Sequence, residues 1–286
     1  MKSDGRCYME RYFRKLSVGR FVGILVITYV ILTIGYTMVE SYPDFNIEYL
    51  LMVLFYALLF LGYFIFALNP VDREGILYER KSEEKPLSLA VIPFFIMGLT
   101  TIIYVLLLES LFPTLYEAFV NAPDILEGIS FSSDPMGFGL LFLSVVVLAP
   151  VVEEIVFRGI LFNLLNKKRG LLTSMFASSL FFGVLHFQTM VPTAVIGFVL
   201  CFIYQKTGSL KLSMAGHMFN NLMAFALPFL LEGLDPSGTV FILLNVAFFL
   251  LYLFGTIYFI SYMVKHRRAF RGRAPIYRAW GDEFDL

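Results

Sequence analysis

Two glutamates and an arginine lie within an otherwise apolar stretch of the chain, "VVEEIVFRGI" at residues 151–160. If this stretch is a membrane helix, each ionised side chain costs at least about 2.5 kcal/mol to bury, so each invites a functional explanation. Glu154 and Arg158 are four residues apart, share one helix face and can form an ion pair that neutralises both charges. Glu153 lies about a quarter turn away without a local partner. Burial therefore favours its neutral form, and we expect it to exchange protons near neutral pH.

Further polar side chains occur in two later apolar stretches. His186 ends "FFGVLH" four residues after Phe182, so an aromatic ring is expected to pack beneath the imidazole. In "HMFNN", His217 and Asn221 are four residues apart and share a helix face, whereas Asn220 is rotated off it. Two hydrogen-bond donors directed at one point are the arrangement that stabilises a developing oxyanion.

These residue types fit water-dependent hydrolysis of a carbonyl compound. Glu153 with His186 would act as the general base that activates water, while His217 and Asn221 would hold the oxyanion. Pro150, three residues before Glu153, removes one backbone hydrogen bond and can kink the helix, opening space at this point.

Three other interpretations of the same residues stay open. Glu153, His186 and His217 form a Glu and two-His set of the kind that holds catalytic zinc, although the chain has no H-E-x-x-H motif, which favours the metal-free chemistry. Intramembrane Glu and His also serve as proton relays in coupled transporters. The simplest alternative is a set of satisfied polar residues that join helices in a protein without catalytic activity.

The elements that must position these side chains are membrane helices. Of the 286 residues, 58% are hydrophobic, and the mean hydropathy is +0.77, well beyond that of a soluble domain. Only helices satisfy every backbone group of an isolated span within lipid, so the sequence predicts an all-α polytopic membrane protein with about eight transmembrane helices. The apolar runs are approximately 21–39, 49–68, 89–108, 138–165, 171–187, 190–205, 211–231 and 240–264.

Lysine and arginine are segregated along the chain. All of them except Arg158 lie in alternate connections, and the connections near 40–48, 109–136, 188–190 and 232–239 hold none. The positive-inside rule then places both termini in the cytoplasm, which requires an even number of spans. The linker 71–86 and the tail 265–286 are expected to be solvated or to face lipid headgroups. Cys7 and Cys201 do not suggest a disulfide framework.

Three motifs together resemble one protein family. "EEIVFR" fits E-E-x-x-x-R, "FGVLH" fits F-x-x-x-H and "HMFNN" fits H-x-x-x-N, in this order and in successive apolar stretches. This series is similar to that of the CPBP family, which joins CAAX prenyl endopeptidases of the Ras-converting type with bacterial bacteriocin-processing and immunity proteins. The resemblance covers roughly residues 137–231.

The resemblance implies an intramembrane endopeptidase whose active site is reached from the cytosolic side. It assigns water activation to Glu153 and His186, oxyanion binding to His217 and Asn221, and a supporting ion pair to Glu154 and Arg158. The implied substrate is a membrane protein or peptide, which in some members is lipidated; a nucleic acid is not expected as a partner. No cofactor is expected, with zinc as the alternative. The family also leaves a noncatalytic immunity or scaffold protein as an alternative function.

The sequence therefore divides into a helical core and accessory parts. We expect a basic cytoplasmic segment at 1–20, three accessory transmembrane helices at 21–136, the catalytic core with helices 4–7 at 137–231, an eighth helix at 232–264 and a cytoplasmic tail at 265–286. Short outer connections and the lack of N-x-S/T sequons fit a multi-pass protein of a prokaryotic plasma membrane.

Overall fold

The computed structural model describes residues 11–39, 47–79, 86–122, 126, 129 and 131–278, and it is all-helical over these ranges. Cys7, the first half of the basic N-terminal segment and the acidic end of the tail lie outside the described residues. The helices, numbered in chain order, are α1 (Val18–Val39), α2 (Ile47–Ala67), α3 (Pro70–Leu77), α4 (Leu87–Leu111), α5 (Pro113–Val120), α6 (Pro135–Asn166), α7 (Leu171–Val184), α8 (Met190–Thr207), α9 (Leu210–Leu231), α10 (Thr239–Lys265) and α11 (Pro275–Arg278).

Seven of the described helices are long and apolar enough to cross a membrane, namely α1, α2, α4, α6, α8, α9 and α10. The predicted fifth span, 171–187, is the shorter apolar helix α7, whose 14 residues rise only about 21 Å. A short 3-10 turn, Phe187–Thr189, then leads directly into α8. The expected helical membrane fold is confirmed, with α7 as the one predicted span that falls short of the usual length. The cytoplasmic location of both termini stays a prediction.

The central helix α6 departs twice from α-helical geometry. Asp134 caps the N-terminus of α6, and its carboxylate accepts a hydrogen bond from the backbone N–H of Gly137 at 2.9 Å. The segments Leu143–Leu148 and Glu154–Phe162 are π-helical and flank a short α-helical stretch that contains Pro150. Such wide turns are rare and are frequent at functional sites. Glu153 ends the stretch between these two segments and directly precedes the second one.

Helices α7 and α8 pack closely because glycine lies at their contact. A Cβ atom on Gly183 would lie 2.5 Å from the carbonyl oxygen of Met190 and 2.7 Å from the Cβ atom of Ala194. Neither neighbour is the flexible end of a long side chain. The backbone of α7 therefore approaches α8 at a distance that only glycine permits.

We expect Gly183→Ala to destabilise the protein by about 1–3 kcal/mol, since the added methyl group would force the two helices apart. Gly139→Ala is the matched control, because nothing lies within 4 Å of the added atom in α6. There the gain in helix propensity should leave stability unchanged or slightly raised. Thermal unfolding in detergent, followed by circular dichroism, compares the two. Equal midpoints for both variants would contradict the close contact.

The described part of the tail packs against the end of α6. The backbone N–H of Ala274 donates to Oδ1 of Asn166 at 2.9 Å, and the hydroxyl of Tyr277 donates to the carbonyl of Asn163 at 2.7 Å. Ala274 and Ile276 are buried. The expectation of a solvated tail was wrong for these residues, because the apolar side chains within the basic sequence find a packed site.

Candidate active site

A cavity of 490 Å³ lies between α2, α4, α6, α8 and α9, bounded also by the turn after α7. All four residues predicted to carry the chemistry line it, and the remaining wall is largely apolar. Those four are Glu153, His186, His217 and Asn221. Helices that are far apart in sequence thus bring the predicted residues to one cavity.

Glu153 is buried on α6 and points into this cavity rather than toward lipid. The hydroxyl of Tyr56 on α2 donates to its Oε1 atom at 3.0 Å. Its Oε2 atom lies 3.8 Å from Nε2 of His217 on α9. The carboxylate therefore has partners on two other helices, although none was expected within its own helix.

Glu154 and Arg158 form the predicted ion pair, with Nη1 of Arg158 at 2.6 Å from Oε1 of Glu154. Both side chains are fully buried. The second Nη atom of Arg158 donates to the carbonyl of Gly197 on α8 at 3.2 Å. The pair neutralises two charges in a site without bulk water and also joins α6 to α8.

Glu154 also forms hydrogen bonds with two residues of α9, and one of these bonds orients His217. Its Oε1 atom accepts a hydrogen bond from Nδ1 of His217 at 3.1 Å, and its Oε2 atom accepts one from the hydroxyl of Ser213 at 2.5 Å. A carboxylate only accepts, so Nδ1 of His217 carries the proton. The Nε2 atom of His217 is left to face Glu153.

His186 is held by the helix that precedes it. Its Nδ1 atom lies 2.9 Å from the carbonyl of Phe182, which can only accept, so Nδ1 donates and Nε2 keeps its lone pair. The rings of Phe182 and His186 are in contact, with centroids 4.7 Å apart, as the spacing predicted. Phe182 also contacts His217 at 5.7 Å and lies 4.5 Å beneath the guanidinium of Arg158. This one buried ring thus positions all three cationic or basic side chains.

Asn221 and Asn220 both line the cavity, although they lie on different faces of α9. The cavity extends far enough around α9 to reach residues that differ by 100° in direction. Nδ2 of Asn221 donates to the carbonyl of Val145 at 2.9 Å, in the first π-helical segment of α6. Oδ1 of Asn221 accepts from Nδ2 of Asn220 at 3.1 Å, which fixes the amide of Asn221 on both sides.

Residues 135–223 match the family model described as Type II CAAX prenyl endopeptidase Rce1-like. The match includes the three motifs and every cavity residue that they supply. This segment is an Rce1-like domain. The match agrees with the CPBP resemblance of the sequence. Together with the seven apolar helices, it supports an integral membrane protein. Neither the search of curated proteins nor that of solved structures returned a match.

Two contacts of the Rce1-like domain were not found from the sequence. Tyr56 lies on α2, outside the matched residues, and Ser213 precedes the third motif. The chain has 16 tyrosines, most of them in or beside apolar stretches, so no local signal distinguished Tyr56. Its contact with Glu153 joins residues 97 positions apart in sequence.

The alternative zinc set in the Rce1-like domain consists of Glu153, His186 and His217. Within the described ranges, no three His, Cys, Asp or Glu side chains gather closely enough to hold a metal ion. In this set, both imidazoles use Nδ1 for hydrogen bonds to protein oxygens, which leaves the Nε2 atoms available as ligands. Since the three side chains are not gathered closely around one point, no reaction step is derived through zinc.

We expect Tyr56→Phe to lower kcat about tenfold with little change in KM, because a hydrogen bond to a charged group contributes about 1.5–3 kcal/mol. Tyr63→Phe is the matched control on the same helix, since its hydroxyl donates to the backbone carbonyl of Phe21, away from the cavity. Steady-state cleavage kinetics of the two purified variants test this. If both variants lost kcat to the same degree, Tyr56 would not act through Glu153.

Proposed function

We propose that the chain is an intramembrane endopeptidase that hydrolyses peptide bonds of a membrane-associated or lipidated protein or peptide. The observation that carries this proposal is the position of the Glu153 carboxylate. It points into the cavity, 3.8 Å from Nε2 of His217, and it shares that cavity with His186 and Asn221. An acid that served only to join helices would instead have its oxygens fully used by neighbouring side chains.

In the proposed reaction, a water molecule binds between Glu153 and the Nε2 atom of His186. Glu153 accepts a proton from this water while the oxygen attacks the carbonyl carbon of the scissile bond. The carbonyl oxygen becomes an oxyanion and accepts hydrogen bonds from His217 and Asn221. When the C–N bond breaks, Glu153 returns the proton to the leaving amine. The balance is one water consumed, with a new carboxylate and a new amine formed.

The fixed tautomer of His217 sets one requirement for this mechanism. Because Nδ1 donates to Glu154, Nε2 donates to an oxyanion only when the ring carries both protons. The two ring nitrogens of His217 lie 3.8 Å from Glu153 and 3.1 Å from Glu154. Glu154 is therefore a positioning residue of the mechanism as well as a partner of Arg158.

The cavity wall supports an apolar substrate. Methionines and phenylalanine from three helices line it beside the polar groups, among them Met52, Met97 and Phe225. Such side chains accept aliphatic residues or a lipid group without a specific hydrogen bond. The matching family model is described as a CAAX prenyl endopeptidase, so we propose a peptide with a lipidated cysteine near its C-terminus as the first substrate to test.

The test uses the purified full-length protein in detergent with a reporter peptide that ends in a farnesylated CAAX sequence. The same peptide without the farnesyl group is the matched control. We expect cleavage after the lipidated cysteine, detected by mass spectrometry, and faster cleavage of the lipidated peptide. Cleavage should persist with 1,10-phenanthroline, because the proposed base acts without zinc. A protein that cleaves neither peptide would favour a noncatalytic immunity partner or a transporter, and inhibition that zinc reverses would refute the metal-free mechanism.

A further inference from the structure

A second cavity, of 640 Å³, lies where α8 and α10 end, separate from the candidate active site. Its lining is strongly basic, and no Asp or Glu is among the described residues that form it. The positively charged or titratable members are Lys206, Lys265, His266, Arg267 and Arg268. A concave surface with this composition attracts anions.

Helix ends explain only part of this charge. Lys206 and Lys265 lie in the last turns of α8 and α10, where cations favour the negative end of the helix dipole. Arg267 and Arg268 lie beyond α10, in the short 3-10 turn Arg267–Phe270, and both are exposed. Among the salt bridges of the described chain, none involves either arginine. Both side chains are exposed, so an anion can approach them from outside.

The cavity is continuous with a surface of α10 that faces lipid. Val264 lines the cavity and is 59% exposed, and Ile260 and Ile257 lie one and two turns earlier on the same helix face, at 50% and 53% exposure. Since α10 is one of the seven candidate spans, this apolar strip contacts hydrocarbon chains. The basic cavity then lies at the level where the apolar part of the helix ends, which is the level of the headgroups.

We propose that this cavity binds the headgroup of an anionic phospholipid, with an acyl chain along the strip formed by Ile257, Ile260 and Val264. Arginine forms paired hydrogen bonds with phosphate oxygens, which a diffuse surface charge does not provide. Basic cavities between membrane helices bind anionic headgroups by this combination of charge and shape. The proposal is independent of the proteolytic function, since no residue of this site lines the catalytic cavity.

The experiment is native mass spectrometry of the purified full-length protein titrated with phosphatidylglycerol or phosphatidylcholine of identical acyl chains. We expect one phosphatidylglycerol to bind about tenfold more tightly than phosphatidylcholine, and Arg267→Gln/Arg268→Gln to remove this preference. Lys168→Gln/Arg169→Gln is the matched control, because these exposed cations carry the same charge and lie outside the cavity. The control should keep the preference within about twofold.

Each outcome decides the proposal. If only Arg267→Gln/Arg268→Gln loses the preference for phosphatidylglycerol, with circular dichroism like that of the wild type, the result supports a headgroup site. An equal loss of this preference in both double variants would show attraction to surface charge alone and would overturn the proposal. Displacement of the bound lipid by millimolar inorganic phosphate would also overturn it, because the cavity would then recognise a free anion without the acyl chain.

Discussion

Glu153→Gln is expected to reduce peptide-bond cleavage about 10³-fold while the protein stays folded, because a neutral amide cannot accept the proton of the attacking water. The substitution preserves the size of the side chain. The amide oxygen also still accepts a hydrogen bond from Tyr56. KM should change little, since the lost interaction belongs to the transition state. Steady-state kinetics with the lipidated reporter peptide measure both constants.

Glu109→Gln is the matched control for this prediction. Glu109 is exposed near the end of α4 and does not line the cavity, so its substitution removes one negative charge without touching the reaction. Its kcat should equal that of the wild type. Undiminished cleavage by Glu153→Gln, with a normal circular dichroism spectrum, would remove Glu153 from the mechanism.

Arg158→Met is expected to destabilise the protein by about 3–5 kcal/mol, because Glu154 would remain as a buried charge without its cation. The double variant Glu154→Leu/Arg158→Met should recover most of this stability, since apolar side chains replace both charges in the fully buried site. It should nevertheless remain inactive, because His217 loses the carboxylate that orients it. Thermal unfolding in detergent and reporter cleavage, measured on the same samples, separate the two effects.

Lys168→Met is the control for the loss of a cation from the same region, since Lys168 is exposed just beyond α6. It should leave both stability and cleavage close to wild-type values. If the double variant regained activity together with stability, Glu154 would have no role beyond charge neutralisation. If the double variant stayed as unstable as Arg158→Met, the unpaired charge of Glu154 would not be the main cause of the lost stability.

Helical spacing predicted the contacts that form within one helix. The ion pair of Glu154 and Arg158 and the ring contact of Phe182 and His186 each join residues four positions apart, where helix geometry leaves little freedom. The same spacing placed Glu153 outside this ion pair and so predicted it as the candidate catalytic carboxylate. The hydropathy pattern likewise predicted an all-helical membrane protein, as found.

Contacts between helices could not be predicted from helical spacing. The bond from Tyr56 to Glu153 and that from Ser213 to Glu154 depend on how α2 and α9 pack against α6. Tyrosine and serine are ordinary residues of membrane helices, so their presence carries no signal until the packing is known. The second role of Glu154, as the partner of His217, was missed for the same reason.

The hydropathy pattern also did not predict where α7 ends. Residues 171–187 are apolar enough for a span, but the helix ends at Val184. Close packing of Gly183 against Met190 brings the chain into α8 within a few residues. His186 lies in this connection between the two helices, where it lines the cavity, which connects a packing detail to the proposed chemistry.

The most direct test of the central claim is cleavage in water enriched in ¹⁸O. Purified wild-type protein and Glu153→Gln are each incubated with the lipidated reporter and with a mixture of detergent-solubilised membrane proteins, and the new C-termini are analysed by mass spectrometry. The account predicts new C-terminal carboxylates with one ¹⁸O in the wild-type sample and none in the Glu153→Gln sample. The same labelled termini in both samples would contradict it, because peptide bonds would then be hydrolysed without the buried carboxylate.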